Sequence, residues 1–453
     1  MASTACIPPA PAPEGAVGLR DRARGALLGL AVGDALGAPA ENMKPSEIRA
    51  RWGRITGYVA DRPAGTDDTE YAIFSGLLLA RHGAALTPSH VGAAWHEWIA
   101  DREEGPFRGA GFSERGTLEN LRRGLAAPIS AQHRHAWSDG LAMRAAPHGV
   151  FAAGRPAEAA RLAAIDGSVS HEGEGIYGGQ AVAAGVAAAM AGASTVAVVA
   201  SALAVVPDDS WTARCLRRAM TAAHRGERAV RSAVVIGGYP WTDLAPEAVA
   251  LAFGAYAAAD GDFTDAVLTA VNMGRDADTT AAVAGALAGA TCGVHAIPAD
   301  WAAAIGPARG TCLPTMAGHH VLEVADLLTR AVRKAPPDAE HVRAPGAGLP
   351  APDTVATPPR RPGGARRQAP AAPPGDTTPT PPPSGPGTRA PAPETHAAAT
   401  RPPGTAPRPV PGDPPDHTVP ASPRPGPGTT APTPPRPGHD TAPDIHAAAK
   451  EGP

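Results

Sequence analysis

Aromatic residues make up only 4% of this 453-residue chain, and none of them lies beyond residue 335. Residues 336–453 instead hold 35 of the 53 prolines and contain few Leu, Ile or Val residues. Such a segment cannot bury enough apolar surface to offset the entropy of ordering the chain, so we predict a disordered tail with extended polyproline stretches. The first 18 residues are also proline-rich and are predicted to be disordered. The folded domain is therefore expected to span residues 19–335, and the tail to tether the domain or dock an unknown partner.

Cysteine is scarce too, and the four residues (Cys6, Cys215, Cys292 and Cys312) lack the paired spacing of a zinc site or a disulfide framework. No segment has eighteen strongly apolar residues in a row, and the first residues lack the apolar core of a secretory signal. The net charge of −3 does not indicate nucleic acid or an acidic membrane surface as a partner. We therefore expect a cytoplasmic protein without a membrane partner.

The periodicity of residues 19–335 is helical. Apolar residues recur at spacings of three and four, as at Ile73, Leu77 and Leu78, and Thr87-Pro88 is a typical helix start. Alternating strand patterns are rare, the best being a short one near residues 55–59. Abundant alanine raises helix propensity and lets helices approach closely. These features predict a single compact all-α domain of a dozen or so helices.

Two acidic clusters stand more than two hundred residues apart, each where an aliphatic helix is predicted to begin. They are Thr66-Asp67-Asp68-Thr69 and Asp276-Ala277-Asp278-Thr279. Helix capping explains one such side chain per helix, but it does not explain several carboxylates crowded together. Buried carboxylates repel each other unless something positive joins them. Brought together, the two clusters would form an all-oxygen site for one or two hard cations such as Mg²⁺ or Mn²⁺.

A stripe of glycines precedes the first cluster, at positions Gly25, Gly29, Gly33 and Gly37. Each interior glycine costs a helix roughly 1 kcal/mol against alanine, so close packing or the approach of a ligand should justify the stripe. The two interpretations are a groove for a neighbouring helix and a surface for a ligand. Glu41, just beyond the stripe, is close enough in sequence to reach a nearby metal site.

Three motifs together resemble the ADP-ribosylglycohydrolase family, which includes the enzyme that reactivates dinitrogenase reductase. They are the glycine segment ending in Gly33-Asp34-Ala35-Leu36-Gly37 with Glu41, the segment Thr66 to Thr69, and Asn272-Met273-Gly274-Arg275-Asp276-Ala277-Asp278-Thr279. Their order and spacing match across about residues 22 to 300, which is nearly the whole predicted domain.

The resemblance implies an all-α fold with a binuclear Mg²⁺ or Mn²⁺ centre at the bottom of a cleft. By the resemblance, the metal ligands are Thr66, Asp67, Asp68, Asp276, Asp278 and Thr279, and Glu41 lies beside the ions. Ser138, Gly140 and Met143 belong to a segment similar to the family's diphosphate loop. His171 matches a position expected near the phosphates or the distal ribose.

Two departures from the family pattern concern the cleft. Asp139 stands where the diphosphate loop usually has Asn, and a carboxylate there would repel a diphosphate unless it points away or caps a helix. Arg275 stands where many members have a second glycine, and it is expected either to add charge complementarity or to narrow the cleft.

The function implied is metal-dependent hydrolysis of an ADP-ribosyl glycosidic bond in a modified protein or a small molecule. A carboxylate serves as general acid or base in such reactions, and Glu41, Asp67 and Asp68 are the candidates. One alternative is a family member that binds ADP-ribose without hydrolysing it. Another is a helical prenyl-diphosphate enzyme, since Asp-rich helices hold Mg²⁺ and diphosphate there too. The sequence has neither a Gly-Lys-Ser/Thr phosphate loop nor a Gly-x-Ser-x-Gly elbow, which argues against a nucleoside triphosphatase and a serine hydrolase.

Overall fold

A computed structural model describes residues 15–102, 112–235 and 241–334 of the chain. Within these ranges the protein is helical and contains no β-strand, so the all-α prediction is confirmed. The sixteen helices are α1 (Gly15–Gly37), α2 (Pro45–Trp52), α3 (Asp67–His82), α4 (Pro88–Trp95), α5 (Phe112–Arg122), α6 (Ala146–Phe151), α7 (Pro156–Gly167), α8 (Gly173–Met190), α9 (Thr195–Ala204), α10 (Trp211–Ala223), α11 (Glu227–Val234), α12 (Ala245–Ala258), α13 (Phe263–Met273), α14 (Ala277–Cys292), α15 (Ala299–Ala304) and α16 (Val321–Lys334). The proline-rich tail predicted for residues 336–453 and most of the predicted disordered start lie outside the described residues. Residues 15–18, which carry no proline, form the first turn of α1.

The alternating pattern near residues 55–59 forms a loop. The side-chain amide of Asn272 takes the place of a neighbouring strand there. Its Oδ1 accepts a hydrogen bond from Ile55 N at 3.0 Å, and its Nδ2 donates to Ile55 O at 2.9 Å. The backbone of Ile55 is thus satisfied without a sheet, which the sequence pattern alone does not reveal.

Helices α1 and α14 pack backbone against backbone through the glycine stripe. A Cβ atom added to any of its four glycines would lie only 2.1–2.3 Å from a carbonyl oxygen of α14. Helix α14 contributes Gly285 and Gly289 to the same interface, where added Cβ atoms would lie 2.1 and 2.0 Å from carbonyl oxygens of α1. The stripe is therefore a groove for a neighbouring helix, the first of the two interpretations offered above.

Helix α14 lies at the centre of the domain. Every residue from Ala277 to Ala290 is buried, and α1, α8, α12 and α13 pack around it. Two carboxylates, Asp278 on α14 and Asp68 on α3, are buried at the first turns of their helices. No helix in the described ranges is long and apolar enough to span a membrane.

Buried polar groups tie α3 to the rest of the domain. Glu70 is fully buried, and its carboxylate accepts hydrogen bonds from the backbone N–H groups of Thr311, Cys312 and Leu313 at 2.9, 2.8 and 2.6 Å. Three backbone donors satisfy a charge that would otherwise be costly to bury. The first turn of α3 is thereby fixed from the side opposite α1.

Candidate active site

The first turns of α3 and α14 meet, which brings the two acidic clusters together. Thr279 Oγ1 donates a hydrogen bond to Asp68 Oδ1 at 2.9 Å, although the two residues are 211 positions apart. Neither Thr66 nor Asp276 caps its helix with its side chain. The helix-capping explanation for these two residues therefore fails, and the acids converge on a shared space.

That space is a cavity of about 420 Å³ that opens to the surface. Its walls combine the two helix starts with the turn Asp139–Leu141, the start of α5 and the residues that precede α12. The lining residues are Glu41, Asn42, Asp67, Asp68, Ser113, Glu114, Arg115, Ser138, Asp139, Gly140, Met143, Trp241, Thr242, Asp243, Asp276, Asp278 and Thr279. Eight of these are carboxylic acids, so the cavity is strongly acidic.

Asp34 on α1 positions the first cluster from behind. Its carboxylate accepts four hydrogen bonds, from the backbone N–H groups of Thr66 (2.7 Å) and Thr69 (3.1 Å) and from their hydroxyl groups (2.6 and 2.5 Å). Burial raises the pKa of Asp34 to about 6, although these hydrogen bonds oppose the shift. Asp34 thus fixes the residues on both sides of the Asp67-Asp68 pair.

The acids of the two clusters perturb one another. Burial, followed by the charges of neighbouring carboxylates, raises the pKa values of Asp67, Asp68, Asp276 and Asp278 well above the usual range for aspartate. The charge of Asp139 raises the pKa of Asp276, and the charge of Asp276 raises that of Asp278. Desolvated carboxylates that lie close together favour the protonated form, because they cannot all be ionised without a cation.

The donor set suits a hard divalent cation. Carboxylate and hydroxyl oxygens are the ligands that Mg²⁺ and Mn²⁺ favour, and Asp68 Oδ2 is a buried oxygen to which no described residue donates a hydrogen bond. With the side chains in their present positions, no three Asp, Glu, His or Cys groups of the described ranges converge as a metal ion requires. Asp68 Oδ1 accepts a hydrogen bond from the Thr279 hydroxyl, and the raised pKa values of Asp276 and Asp278 favour their protonated forms. A cation would take the place of those protons.

In a chelator, the protein is expected to lose stability as the pH rises. The folded pKa values of these aspartates exceed their unfolded values, so the folded state binds more protons, and its stability falls as the pH passes from about 4 toward and beyond 6. Asp68→Asn removes one such group, and its Tm in EDTA should therefore fall less between pH 5 and pH 8 than that of the wild type. Buried histidines act in the opposite direction but are common to both proteins. An equal or larger fall in the variant, measured by thermal denaturation, would contradict this account.

The Ser138 turn forms another part of the cavity wall. Ser138 Oγ accepts a hydrogen bond from Gly140 N, and it bonds to Ser113 Oγ at 2.8 Å and to His171 Nε2 at 3.1 Å. A Cβ added to Gly140 would lie 2.3 Å from Glu114 Oε1, so only glycine leaves room for that carboxylate. Contacts with Ser113, Glu114 and His171 thus hold the turn rigidly.

His171 lies behind this wall and does not line the cavity. It is buried, with Nδ1 bonded to Ser170 Oγ at 2.8 Å, and burial followed by the charge of Arg144 lowers its pKa well below the usual value. Arg144 in turn donates to Ser170 Oγ and to Gly140 O, each at 2.7 Å. His171 is therefore placed to orient Ser138 as a neutral imidazole.

Arg275 does not narrow the cleft. Its guanidinium pairs with the buried carboxylate of Glu247 and donates to the carbonyl oxygen of Trp241 at 2.8 Å. Its φ of 68° lies in the left-handed region, where glycine has the least strain. This backbone conformation accounts for the glycine that many similar proteins have here. Arg275 instead anchors the segment that carries Trp241, Thr242 and Asp243.

The whole described domain matches a known family model. The model of the ADP-ribosylglycohydrolase family matches residues 16–337, which is most of the chain. The chain belongs to the ADP-ribosylglycohydrolase family. The resemblance inferred from the three sequence motifs is thereby confirmed, and the chain is an ADP-ribosyl hydrolase by family. This membership favours the hydrolase hypothesis over that of a prenyl-diphosphate enzyme.

Individual relatives of this ADP-ribosylglycohydrolase include proteins with named activities. The chain is 29% identical to the ADP-ribosyl-[dinitrogen reductase] glycohydrolase of Rhodospirillum rubrum, over 62% of this chain and 90% of the relative. It is 29% identical to the ADP-ribosylarginine hydrolase Tri1 of Pseudomonas putida, over 62% of this chain and 73% of the relative. A solved structure, described as an ADP-ribosylglycohydrolase-related protein complex, is 27% identical with a TM-score of 0.51 and covers 70% of this chain and 98% of its own.

Most of the residues expected from the family resemblance face one cavity in this ADP-ribosylglycohydrolase. Those that line it are Glu41, Asp67, Asp68, Ser138, Gly140, Met143, Asp276, Asp278 and Thr279. Thr66 and His171 do not, because the Thr66 hydroxyl bonds to Asp34 and His171 bonds to serines behind the wall. Sequence reasoning gave no role in the site to Asp34, Ser113, Glu114 or Asp243, although it interpreted Thr242-Asp243 as a helix start. For Asp34 a signal existed, since it is the one charged residue in the apolar and glycine-rich part of α1 that follows Arg24.

Proposed function

We propose that this ADP-ribosylglycohydrolase removes ADP-ribose from arginine side chains of a modified protein, with two Mg²⁺ or Mn²⁺ ions in its cavity. The observation that carries the proposal is the meeting of the two acidic clusters at Asp68 and Thr279. Clusters from distant parts of the chain converge there on a cavity that opens to solvent. The named activities of the two relatives support the choice of substrate.

The cations would be held by Asp67, Asp68, Asp276, Asp278 and Thr279. Thr66 is a weaker candidate, because its side-chain oxygen and backbone N–H both bond to Asp34. Bound divalent ions would supply positive charge. That charge would hold the ribose hydroxyls close to a water molecule and lower the pKa of that water. The protein residues then determine which bond is attacked.

Hydrolysis requires water to bond to the anomeric carbon of the ribose while the carbon–nitrogen bond to the guanidine breaks. A carboxylate must take a proton from the water, and the leaving guanidine must gain one. Glu41 is exposed at the cavity rim and Asp67 is half-buried, so both can reach a water molecule. Asp68 is buried and accepts the Thr279 hydroxyl, which suits a ligand better than a base. Glu41 and Asp67 are therefore the stronger candidates for the base.

The rim of the cavity suits a cationic leaving group on a large acceptor. Glu41 and Asp243 both line the opening, and Trp241 beside them is 36% exposed. Carboxylates attract a guanidinium group, and an exposed indole ring can stack on it. These features favour arginine on a protein surface over a small neutral acceptor.

The test is release of ADP-ribose from an arginine-ADP-ribosylated protein in EDTA, in Mg²⁺ and in Mn²⁺. A serine-ADP-ribosylated protein serves as the matched substrate. We expect release from the arginine-linked protein with either metal and no more than a trace in EDTA. Release that is unaffected by EDTA would exclude the metal ions. Preferential release from serine would exclude the proposed acceptor, and tight ADP-ribose binding without release from any substrate would favour the binding-only alternative.

A further inference from the structure

Asp139 is the one residue of the Ser138 turn that departs from the family pattern toward greater charge. It begins the short helical turn Asp139–Leu141, and its backbone N–H donates to Asp243 O at 3.0 Å. Its side chain is 4% exposed and lines the cavity. The carboxylate therefore does not point away from the cavity. The first of the two explanations for a carboxylate beside a diphosphate is thereby excluded.

Asp139 does not serve as a helix cap either. The turn is already capped by Ser138, whose Oγ accepts the hydrogen bond from Gly140 N at 3.3 Å. Asp139 Oδ2 is buried, and none of the described residues donates a hydrogen bond to it. A buried carboxylate oxygen without a donor costs free energy unless a ligand or ion approaches it. Asp68 Oδ2, on the opposite side of the cavity, is a second oxygen of this kind.

The neighbours of Asp139 are other acids. Burial, followed by the charge of Asp243, raises the pKa of Asp139 well above the usual range; Asp278 acts in the same direction, and Asp139 in turn raises the pKa of Asp276. Among the described residues that line the cavity, Arg115 is the only one with a basic side chain, and it is exposed to solvent. The protein itself thus places no cation beside Asp139, although it places three carboxyl groups there.

We propose that Asp139 is an additional cation ligand, which extends the acidic clusters past Asp276 to the Ser138 turn. The inference rests on the metal-dependent function proposed above. The proposal gives a function to the negative charge of Asp139, which the neutral Asn of similar proteins lacks. A cation bound by Asp139 also offsets the repulsion between this carboxylate and the diphosphate of ADP-ribose.

The experiment is a titration of the full-length protein with Mn²⁺, in which free Mn²⁺ is followed by electron paramagnetic resonance. The proteins are wild type, Asp139→Asn and Asp243→Asn. Asn has nearly the shape of Asp, and the Asp139 N–H bond to Asp243 O is made by the backbone, so the fold should persist. We expect Asp139→Asn to bind one Mn²⁺ ion fewer, or to bind at least one ion about tenfold or more weakly. Asp243→Asn removes the same charge from the same wall and should change the affinity by less than about threefold.

The outcomes separate this inference from the proposed function. If wild type binds no Mn²⁺, the metal-dependent function fails and the inference fails with it. If wild type binds Mn²⁺ and Asp139→Asn binds it equally well, only the role of Asp139 is wrong. A loss of the same size in Asp243→Asn would show a general effect of charge and would also overturn ligation by Asp139. The Tm of each variant in EDTA verifies folding, and Asp139→Asn should be at least as stable as wild type at pH 8, because one repelling carboxylate is gone.

Discussion

Asp278→Asn should lower kcat/KM for ADP-ribose release from an arginine-modified protein by about a thousandfold. Asp278 is 6% exposed, lies at the first turn of α14 and lines the cavity together with Asp276, Asp68 and Thr279. The substitution removes a charged oxygen while it keeps the shape of the side chain. Loss of a cation ligand forfeits several kcal/mol of stabilisation in the transition state, and about 4 kcal/mol corresponds to three decades in rate.

The control for Asp278→Asn is Asp61→Asn, which removes the same charge from an exposed residue outside the cavity. Its kcat/KM should stay within about twofold of wild type, since exposed surface charges are well screened. In EDTA at pH 8, Asp278→Asn should melt no lower than wild type, because repulsion within the cluster is reduced. If Asp278→Asn retained more than a tenth of the activity, the role of the second acidic cluster would have to be abandoned.

Gly33→Ala should destabilise the domain by about 3 kcal/mol or more, a loss in Tm of roughly 4–5 °C. In an isolated helix the same change would stabilise by about 1 kcal/mol. Here the new Cβ would lie 2.1 Å from Ala281 O, and both groups belong to buried helices. The backbones of α1 and α14 must then move apart. Because α14 carries Asp278 and α1 carries Asp34, activity should fall together with stability.

The same helix supplies the matched control. A Cβ added to Gly18, also on α1, meets no atom within 4 Å. Gly18→Ala should therefore leave Tm unchanged or raise it slightly through helix propensity. Thermal denaturation of both variants at one protein concentration decides the matter. Equal Tm values for the two variants would show that α1 and α14 can separate at little cost, contrary to the packing described above.

The sequence predicted the helical class for physical reasons that act locally, and it marked the two acidic clusters as unusual. Alanine-rich segments with helical spacing form helices regardless of their partners, and Asp67-Asp68 and Asp276-x-Asp278 are too acidic to be buried apart. The glycine stripe predicted a close approach of either a neighbouring helix or a ligand, and it did not identify α14. These inferences needed only the residue types and their spacing.

The remaining site residues could not be predicted because they act through distant contacts. Ser113, Glu114 and Asp243 are single polar residues without a local pattern, and they reach the cavity through the fold. Thr66 belongs to the acidic motif, yet its hydroxyl is occupied by Asp34 from another helix. The role of Arg275 depends on its backbone angle φ and on its contact with Glu247. The local sequence pattern reveals neither of these.

The backbone contact between α1 and α14 makes the two sides of the cavity unequal in how well they tolerate substitution. The position of α14 relative to α1 is fixed by main-chain atoms in contact, so a larger side chain at the glycine stripe would displace the acids that α14 carries. The walls from Ser113 to Arg115 and from Trp241 to Asp243 lie away from this contact, and their exposed residues, Arg115 and Trp241, leave the most room for substitution. New acceptor preferences should therefore be engineered in these segments, with the bond-breaking chemistry left unchanged.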